Sequence, residues 1–284
     1  HFYLEGQVAL AIPSTDGLHV VSSTQHPTEV QDLVSAALNV SAAEVTVEVR
    51  RMGGAFGGKE SQAAQTAVLA ALGAQITGKA VKLRLDRDED MVTTGKRHDF
   101  FSRYQLAYED KGRITAGWFE LSSRCGFSND LSKSINDRAV FHSDNAYFLP
   151  EVAIHSKRLK SDTVSNTAFR GFGGPQGMVA IERGIDKIAA ELKVDPLDVR
   201  LENLYGQHGM RTPYGMMVDE GVLIPLVRQL AGQSDYRARR SKIMAHNSVK
   251  PRYIRGIALT PIKFGISFTA SFLNQAGALL NVYK

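Results

Sequence analysis

A single cysteine, Cys125, stands among 284 residues. That excludes an internal disulfide framework and any cysteine-built zinc or iron–sulfur site on this chain, and it fits a reducing, cytoplasmic setting. No run of about 18 apolar residues occurs, so no membrane span is expected, and there is no signal-peptide pattern. Neither sign of charge dominates: 34 Lys and Arg face 29 Asp and Glu, a net charge of +5. The one dense basic run, Arg237, Arg239, Arg240 and Lys242, has no aromatics gathered with it. It reads as a solvated helix face, and no nucleic-acid partner is expected. Several catalytic signatures are missing too. There is no H-E-x-x-H, no G-x-G-x-x-G and no G-x-S-x-G; "GISFT" at 265–269 has the first Gly and the Ser but not the second Gly. The scattered histidines, including His98 beside Asp99, show no ligand spacing and read as surface or structural residues.

What is present is an ordinary globular composition, 43% hydrophobic and 22% charged, on a chain long enough for one large domain or two ordinary ones. Residues 6–12 and 17–23 flank the turn "PSTDG" as a hairpin. Val30, Leu33, Val34, Ala37 and Leu38 have helical spacing over 28–39. "EVTVEVR" at 44–50 alternates as a strand. An Ala-rich helix follows to about Gln75, with Gly78 as its stop and so many alanines that a neighbour should approach closely. Residues 80–86 read as a strand, and two more surround "EDKG". Weak periodicity makes 124–150 mainly loop with a short helix, and "EVAIHSKRLKSDTV" is extended. Helices are expected over 175–192, after Asp195-Pro196, and within 220–245. "RGIALTPIKFGISF" and "AGALLNVYK" read as strands. Strands and helices mix without regular alternation, so the expected fold class is α+β. The chain begins and ends in strand-like sequence, without an initial Met, and reads as a fragment of a longer polypeptide.

The chemistry concentrates in "RMGGAFGGKE" at 51–60. Gly53, Gly58 and Lys59 have phosphate-loop spacing, G-x-x-x-x-G-K, between a strand and a helix. Yet Glu60 stands where a Ser or Thr should hold Mg²⁺, and a carboxylate at the helix N-terminus would repel a phosphate. A second glycine segment echoes the first: Phe56-Gly57-Gly58 and Phe172-Gly173-Gly174 each close an irregular stretch and open a helix. Each is a potential anion site, or simply a sharp turn.

These two segments, "RMGGAFGGKE" and "NTAFRGFGGPQGM" at 166–178, resemble the molybdopterin-binding region of the xanthine dehydrogenase and xanthine oxidase family. "SSTQHPTEVQ" at 22–31, "DRAVFHSDNAY" at 137–147 and "KFGISFTASFLNQAGAL" at 263–279 resemble it too, in the same order. Ala55 departs from the pattern, which usually has glycine there. The resemblance implies a first cofactor-binding domain over 1–230 and the start of a second over 231–284. It implies that Gln25 hydrogen-bonds an oxo ligand of molybdenum. It also implies that Phe56, Gly57 and Arg170 face the metal's ligands through backbone amides, a cradle glycine turns can form. No residue here is implied to ligate the metal directly.

For a purine substrate, hypoxanthine or xanthine oxidised towards urate with water as the oxygen source, the resemblance places Glu60 and Arg138 as the catalytic pair. Glu60 would hydrogen-bond the purine and Arg138 would stabilise negative charge pushed into the ring. Phe172 and Phe268 would hold the ring by aromatic contact, and Thr269 would offer a polar contact. Lys59 has no role in that scheme. The family's general-base Glu lies in a "G-x-G-E" motif that this chain does not contain. Electrons would pass to 2Fe-2S clusters and FAD on other domains or subunits, making the full enzyme a hetero-oligomer and leaving this fragment inactive by itself. An aldehyde- or other N-heterocycle-oxidising relative, or a module that only docks the other subunits, stays open.

Overall fold

Two separate hydrophobic cores organise the chain. In the computed structural model, which describes residues 1–218, 221–269, 271, 274 and 276–282, the polypeptide divides into two compact units that interleave along the sequence. Unit 1 comprises residues 1–100, 122–136 and 158–173; unit 2 comprises 101–121, 137–157 and 174–284. The boundary expected at 230/231 falls inside unit 2, within a helix.

Unit 1 is built on a four-stranded sheet in the order β3-β2-β1-β4. Strands β1 (Val8–Ser14) and β2 (Gly17–Ser22) form the expected hairpin, and β4 (Val81–Arg84) pairs antiparallel with β1. Helix α1 (Pro27–Leu38) carries the chain from β2 to β3 (Val45–Glu48), which lies parallel to β2 as a crossover connection requires. Helix α2 (Ala63–Thr77) closes the layer and stops at Gly78. Its Ala64, Ala67, Ala70, Ala71 and Ala74 are buried with Ala9 and Ala11 of β1 and with Val30 and Val34 of α1. Methyl-sized side chains on both surfaces let helix and sheet approach closely, so the Ala-rich stretch is a packing face. Helix α3 (Arg87–Thr93) begins with a capping box in which Asp86 and Glu89 each accept from the other's backbone N–H.

Unit 2 is centred on helix α5 (Gly174–Leu192), whose Ile181, Ile185 and Ile188 form a stripe of helical period. The stripe packs with Ile114 and Phe119 of β6, with Tyr147 and Leu149, and with Leu197 and Val199 of α6 (Pro196–Asn203). Full burial of such side chains is worth about 1.5–3 kcal/mol each. Strands β5 (Phe100–Tyr108), β6 (Ile114–Gly126) and β7 (Glu151–Lys160) lie side by side in that order. Gly177 is held against the turn of chain around Ala139: a Cβ there would sit 2.1 Å from the Ala139 carbonyl oxygen.

The region 124–150 is, as expected, mainly loop with a short helix: the last residues of β6 are followed by the ten-residue α4 (Ser132–Phe141) and irregular chain on either side of it. Its periodicity is weak because its buried positions include Ser132, Ser134, Asn136 and Arg138 beside Ile135 and Ala139. The strands expected over 255–268 and 276–284 are not formed among the described residues; Tyr283 and Lys284 lie outside them. Alternation marks a surface ready to pair, but a strand exists only with a neighbour to complete its ladder. The remaining helices are α7 (Leu223–Gln233) and α8 (Tyr236–Ser248). The basic run on α8 is not simply solvated. Arg237 and Arg240 pair with Asp195, the N-cap of α6, at 2.9 and 3.0 Å.

Candidate functional site

Parallel strands deliver their carboxyl ends to one edge of a sheet. Here β2 and β3 are the parallel neighbours, and the segments that leave them are Ser23–Gln25 and the glycine loop 51–60. They meet directly. The Gln25 N–H donates to the Lys59 carbonyl at 2.8 Å, and the Gln25 side-chain oxygen accepts from the N–H of Gly57 at 2.9 Å and of Lys59 at 3.4 Å. Because backbone N–H groups can only donate, they fix which end of the Gln25 amide faces the loop. The exposed Nε2 is therefore turned away from it, and no partner holds it among the described residues.

The second glycine segment meets the first within unit 1. The Arg170 N–H donates to the Phe56 carbonyl at 3.0 Å, and Arg97 donates to the Arg170 carbonyl at 2.7 Å while its guanidinium lies 4.2 Å from the Phe169 ring centre. The echo seen in the sequence is also conformational. Phe56 and Phe172 have φ of 56° and 50°, and the glycines that follow, Gly57 and Gly173, have 96° and 99°. A non-glycine residue in the left-handed region carries strain that its surroundings must offset. Gly57 has a second constraint: a Cβ would lie 2.7 Å from the Ala168 carbonyl oxygen. Of the three amides expected to face a cofactor, Gly57 and Arg170 thus donate within the protein; no protein acceptor takes the Phe56 N–H among the described residues.

Beneath the loop lies a buried polar network that assigns Lys59 its place. Lys59 is fully buried; its ammonium donates to Ser23 Oγ at 2.9 Å and to Glu5 Oε2 at 3.3 Å, and sits 4.8 Å from the Tyr3 ring centre. The same Glu5 oxygen accepts from the Gly53 N–H at 2.6 Å and from Ser23 Oγ at 2.9 Å. Burial pushes the Lys59 pKa down in spite of Glu5. Burial also works to raise Glu5, but the Gly53 N–H, Ser23 and Lys59 together outweigh it and hold its pKa below the usual value. Alongside, Asp90 accepts from Tyr3 Oη at 2.7 Å, the Gln7 N–H at 2.9 Å and Thr94 Oγ1 at 2.9 Å, and Gln7 Nε2 donates to the Gly58 carbonyl at 2.9 Å. Burial, then Asp90, raises the Tyr3 pKa to about 12. Nothing in the sequence marks this network, because its members are scattered from residue 3 to residue 94.

Glu60 follows the loop, with its N–H directed to the Gly57 carbonyl at 3.4 Å. Its half-buried carboxyl has no hydrogen-bond partner among the described residues. Burial raises its pKa, with Asp130 and Glu29 adding to the rise and His26 opposing it. Gln25, Phe56, Gly57, Glu60, Arg170 and Phe172 are therefore gathered in unit 1. Arg138, Phe268 and Thr269 belong to unit 2. There Arg138 is buried on α4, donates to the carbonyls of Gly265 and Ser267, and lies 5.2 Å from the Phe264 ring centre. Phe268 and Asn274 close a small loop, the Phe268 N–H donating to Asn274 Oδ1 at 3.2 Å and Asn274 Nδ2 to the Phe268 carbonyl at 2.9 Å. His98 proves structural: its buried ring nitrogen lies 2.7 Å from Ser132 Oγ.

The donors that remain, an amide NH₂ and a main-chain N–H on a glycine loop, suit an anionic, oxygen-bearing group. No cluster of three or more His, Cys, Asp or Glu capable of holding a metal occurs among the described residues. The site thus fits a cofactor that brings its metal already ligated, and does not fit a bare cation.

Such a site on an α+β frame defines a cofactor-binding domain, and the chain matches the family described as the molybdopterin cofactor-binding domain over residues 1–204. It belongs to that family, within the molybdenum hydroxylases of the xanthine dehydrogenase type. It is 42% identical over its whole length to the xanthine dehydrogenase of Calliphora vicina and 42% identical to the nicotinate hydroxylase hnxS of Emericella nidulans. The chain spans 21% of the length of each of these relatives. Among solved structures, aldehyde oxidoreductase from Desulfovibrio gigas matches with a TM-score of 0.77 at 24% identity, over 86% of this chain and 27% of that one. CO dehydrogenase from Oligotropha carboxidovorans matches with a TM-score of 0.75 at 23% identity, over 87% and 32%. At those identities the likeness establishes the fold. No helix among the described residues is long and apolar enough to cross a membrane.

Proposed function

We propose that this chain forms the molybdenum-cofactor and substrate-binding part of a hydroxylase acting on hypoxanthine or xanthine, with electrons passing to 2Fe-2S and FAD centres on other domains or subunits. The observation that carries the proposal is Glu60. It is a half-buried carboxyl at the foot of the glycine loop, raised in pKa and not engaged by any described protein group. A carboxyl without a protein partner can accept from a ring N–H, and burial favours the protonated form, which can donate to a ring nitrogen; recognition of a purine edge requires such contacts.

The cofactor, when bound, supplies a Lewis-acidic metal and an acceptor for the electrons removed from the substrate carbon. Gln25 presents its Nε2 donor, oriented by the amides of Gly57 and Lys59. Phe56 presents its N–H. Glu60 binds and orients the heterocycle, and Phe172, in the same unit, bears on its flat face. Arg138 supplies fixed positive charge that favours the electron-rich transition state; its hydrogen bonds to Gly265 and Ser267 make it at the same time the anchor of the segment bearing Phe268 and Thr269.

A second reading is oxidation of another N-heterocycle, favoured by the equal identity to a nicotinate hydroxylase. Steady-state turnover of the full-length enzyme on xanthine, hypoxanthine, nicotinate and a simple aldehyde decides between them. The proposal expects the highest kcat/KM with a purine. A preference for nicotinate establishes the second reading, and a preference for the aldehyde removes both.

A further inference from the structure

Asp130 has entered so far only as a charge acting on Glu60, yet it is the point at which both glycine segments are tied. Its Oδ2 accepts from Ser61 Oγ at 2.6 Å and from Gln62 Nε2 at 2.9 Å. Its Oδ1 accepts from Thr167 Oγ1 at 2.6 Å and from the Leu131 N–H at 2.7 Å. Ser61 and Gln62 follow Glu60 at the head of α2; Thr167 lies three residues before Arg170. The two hydroxyls are themselves 3.2 Å apart. Only the Leu131 contact is local. The other three donors come from 69, 68 and 37 residues away, so a turn or a helix cap does not account for the arrangement. The connections continue outward: Gln62 Oε1 accepts from the Gly95 N–H at 2.8 Å, and the Thr167 N–H donates to the Lys96 carbonyl at 2.9 Å. Asp130 itself holds a left-handed φ of 42°, a conformation in which Asp is tolerated and which its four hydrogen bonds help to maintain.

We propose that Asp130 is a positioning residue of the candidate site: one carboxylate, clamping Ser61 and Gln62 with one oxygen and Thr167 with the other, sets the spacing of the two Phe-Gly-Gly loops and keeps a fixed negative charge beside Glu60. The charge has a direct consequence for substrate recognition. Glu60 faces His26, Asp130 and Glu29; burial is the largest influence on it, and Asp130 acts in the same direction, towards the protonated form. This second consequence rests on the reading of Glu60 as the group that meets the substrate; the clamp does not.

The test uses the full-length enzyme carrying Asp130→Asn, Asp130→Ala or the isosteric Thr167→Val, with two readouts. The first is hydrogen–deuterium exchange of peptides covering 54–62 and 166–173. Asp130→Ala is expected to speed exchange in both about tenfold, leaving the hairpin 8–22 unchanged, and Thr167→Val to loosen 166–173 more than 54–62. The second is the pH dependence of kcat/KM on the purine. Asp130→Asn removes the charge and is expected to move the limb that Glu60→Gln abolishes towards lower pH. Exchange that rises only around 127–135, or in one loop alone under Asp130→Ala, overturns the proposal. Paired acceleration with a limb that does not move upholds the clamp and counts instead against the role given to Glu60. Should Asp130→Ala not accumulate as folded enzyme, Thr167→Val decides the clamp by the same exchange criterion.

Discussion

The main-chain N–H of Arg170 donates to the carbonyl of Phe56 at 3.0 Å, so two glycine segments more than a hundred residues apart in sequence share a backbone hydrogen bond. The join leaves no room for a side chain. Gly57 has φ of 96° and would place a Cβ 2.7 Å from the Ala168 carbonyl oxygen. Gly57→Ala is therefore expected to destabilise the fold by about 2–4 kcal/mol, combining backbone strain with the steric clash. It should lower the molybdenum content of the purified full-length enzyme in parallel. Denaturant unfolding and metal analysis of the same preparations check this; a variant of parental stability and full molybdenum content would show that the loops tolerate separation.

Lys59 gives a second prediction. Its side chain is fully buried with its ammonium between Glu5 and Ser23. Lys59→Ala leaves a void where the stem packed and removes a donor from both partners, a loss of about 2–4 kcal/mol. Because Glu5 is partly exposed to water, its carboxylate is not stranded in full. Lys59→Met restores the stem without the charge and should recover a substantial part of the loss. If the two variants are equally destabilised in denaturant titrations, the ammonium rather than the packing carries the contribution.

Glu60 links structure to pH. Burial raises its folded pKa above the ordinary value of 4.5. The sign follows: the group's contribution to stability is intact below the unfolded pKa and is lost as pH rises through the folded one, because ionised Glu60 is disfavoured in the native site. Glu60→Gln should thus melt at a higher temperature than the parent at neutral pH, with the gap closing towards about pH 4. The same substitution should lower purine turnover about tenfold or more. A thermal advantage independent of pH would contradict the assignment of the strain to ionisation.

Arg138 anchors the carbonyls of Gly265 and Ser267, and one substitution can test the charge-stabilising role proposed for it against that anchoring. Arg138→Met keeps bulk but releases the carbonyls of Gly265 and Ser267 and removes the positive charge. Turnover of a purine by the full-length enzyme is expected to fall on the order of a hundredfold, and that of an aldehyde substantially less. Equal losses on both substrates would confine Arg138 to anchoring the 263–269 segment.

Much of the frame was legible in the sequence for physical reasons. The strands β2 and β3, the helix α1 between them, the Ala-rich packing face of α2 and the apolar stripe of α5 all rest on local periodicity, which one segment carries by itself; the parallel pairing of β2 with β3 does not. Helix α4 was harder to read, since its buried positions include Ser132, Asn136 and Arg138, whose polar groups take partners elsewhere in the fold. The segment 255–268 misled in the opposite sense: alternation without a partner strand gives irregular chain.

The site divides along the same line. The sequence by itself determined the family and the residues that match its motifs: Gln25, the two Phe-Gly-Gly turns, Glu60 and Arg138. It set them there because glycines at close-approach turns and a carboxylate following such a turn leave a fixed pattern along the chain. Only the tertiary structure decided what those residues do for one another. It turned the Gln25 amide outward, engaged the Gly57 and Arg170 amides within the protein, gave Lys59 to Glu5 and Ser23, and brought Asp130 onto both loops. These are hydrogen bonds between groups tens of residues apart in sequence. Their partners are chosen by the folded path of the chain, and no local pattern records them.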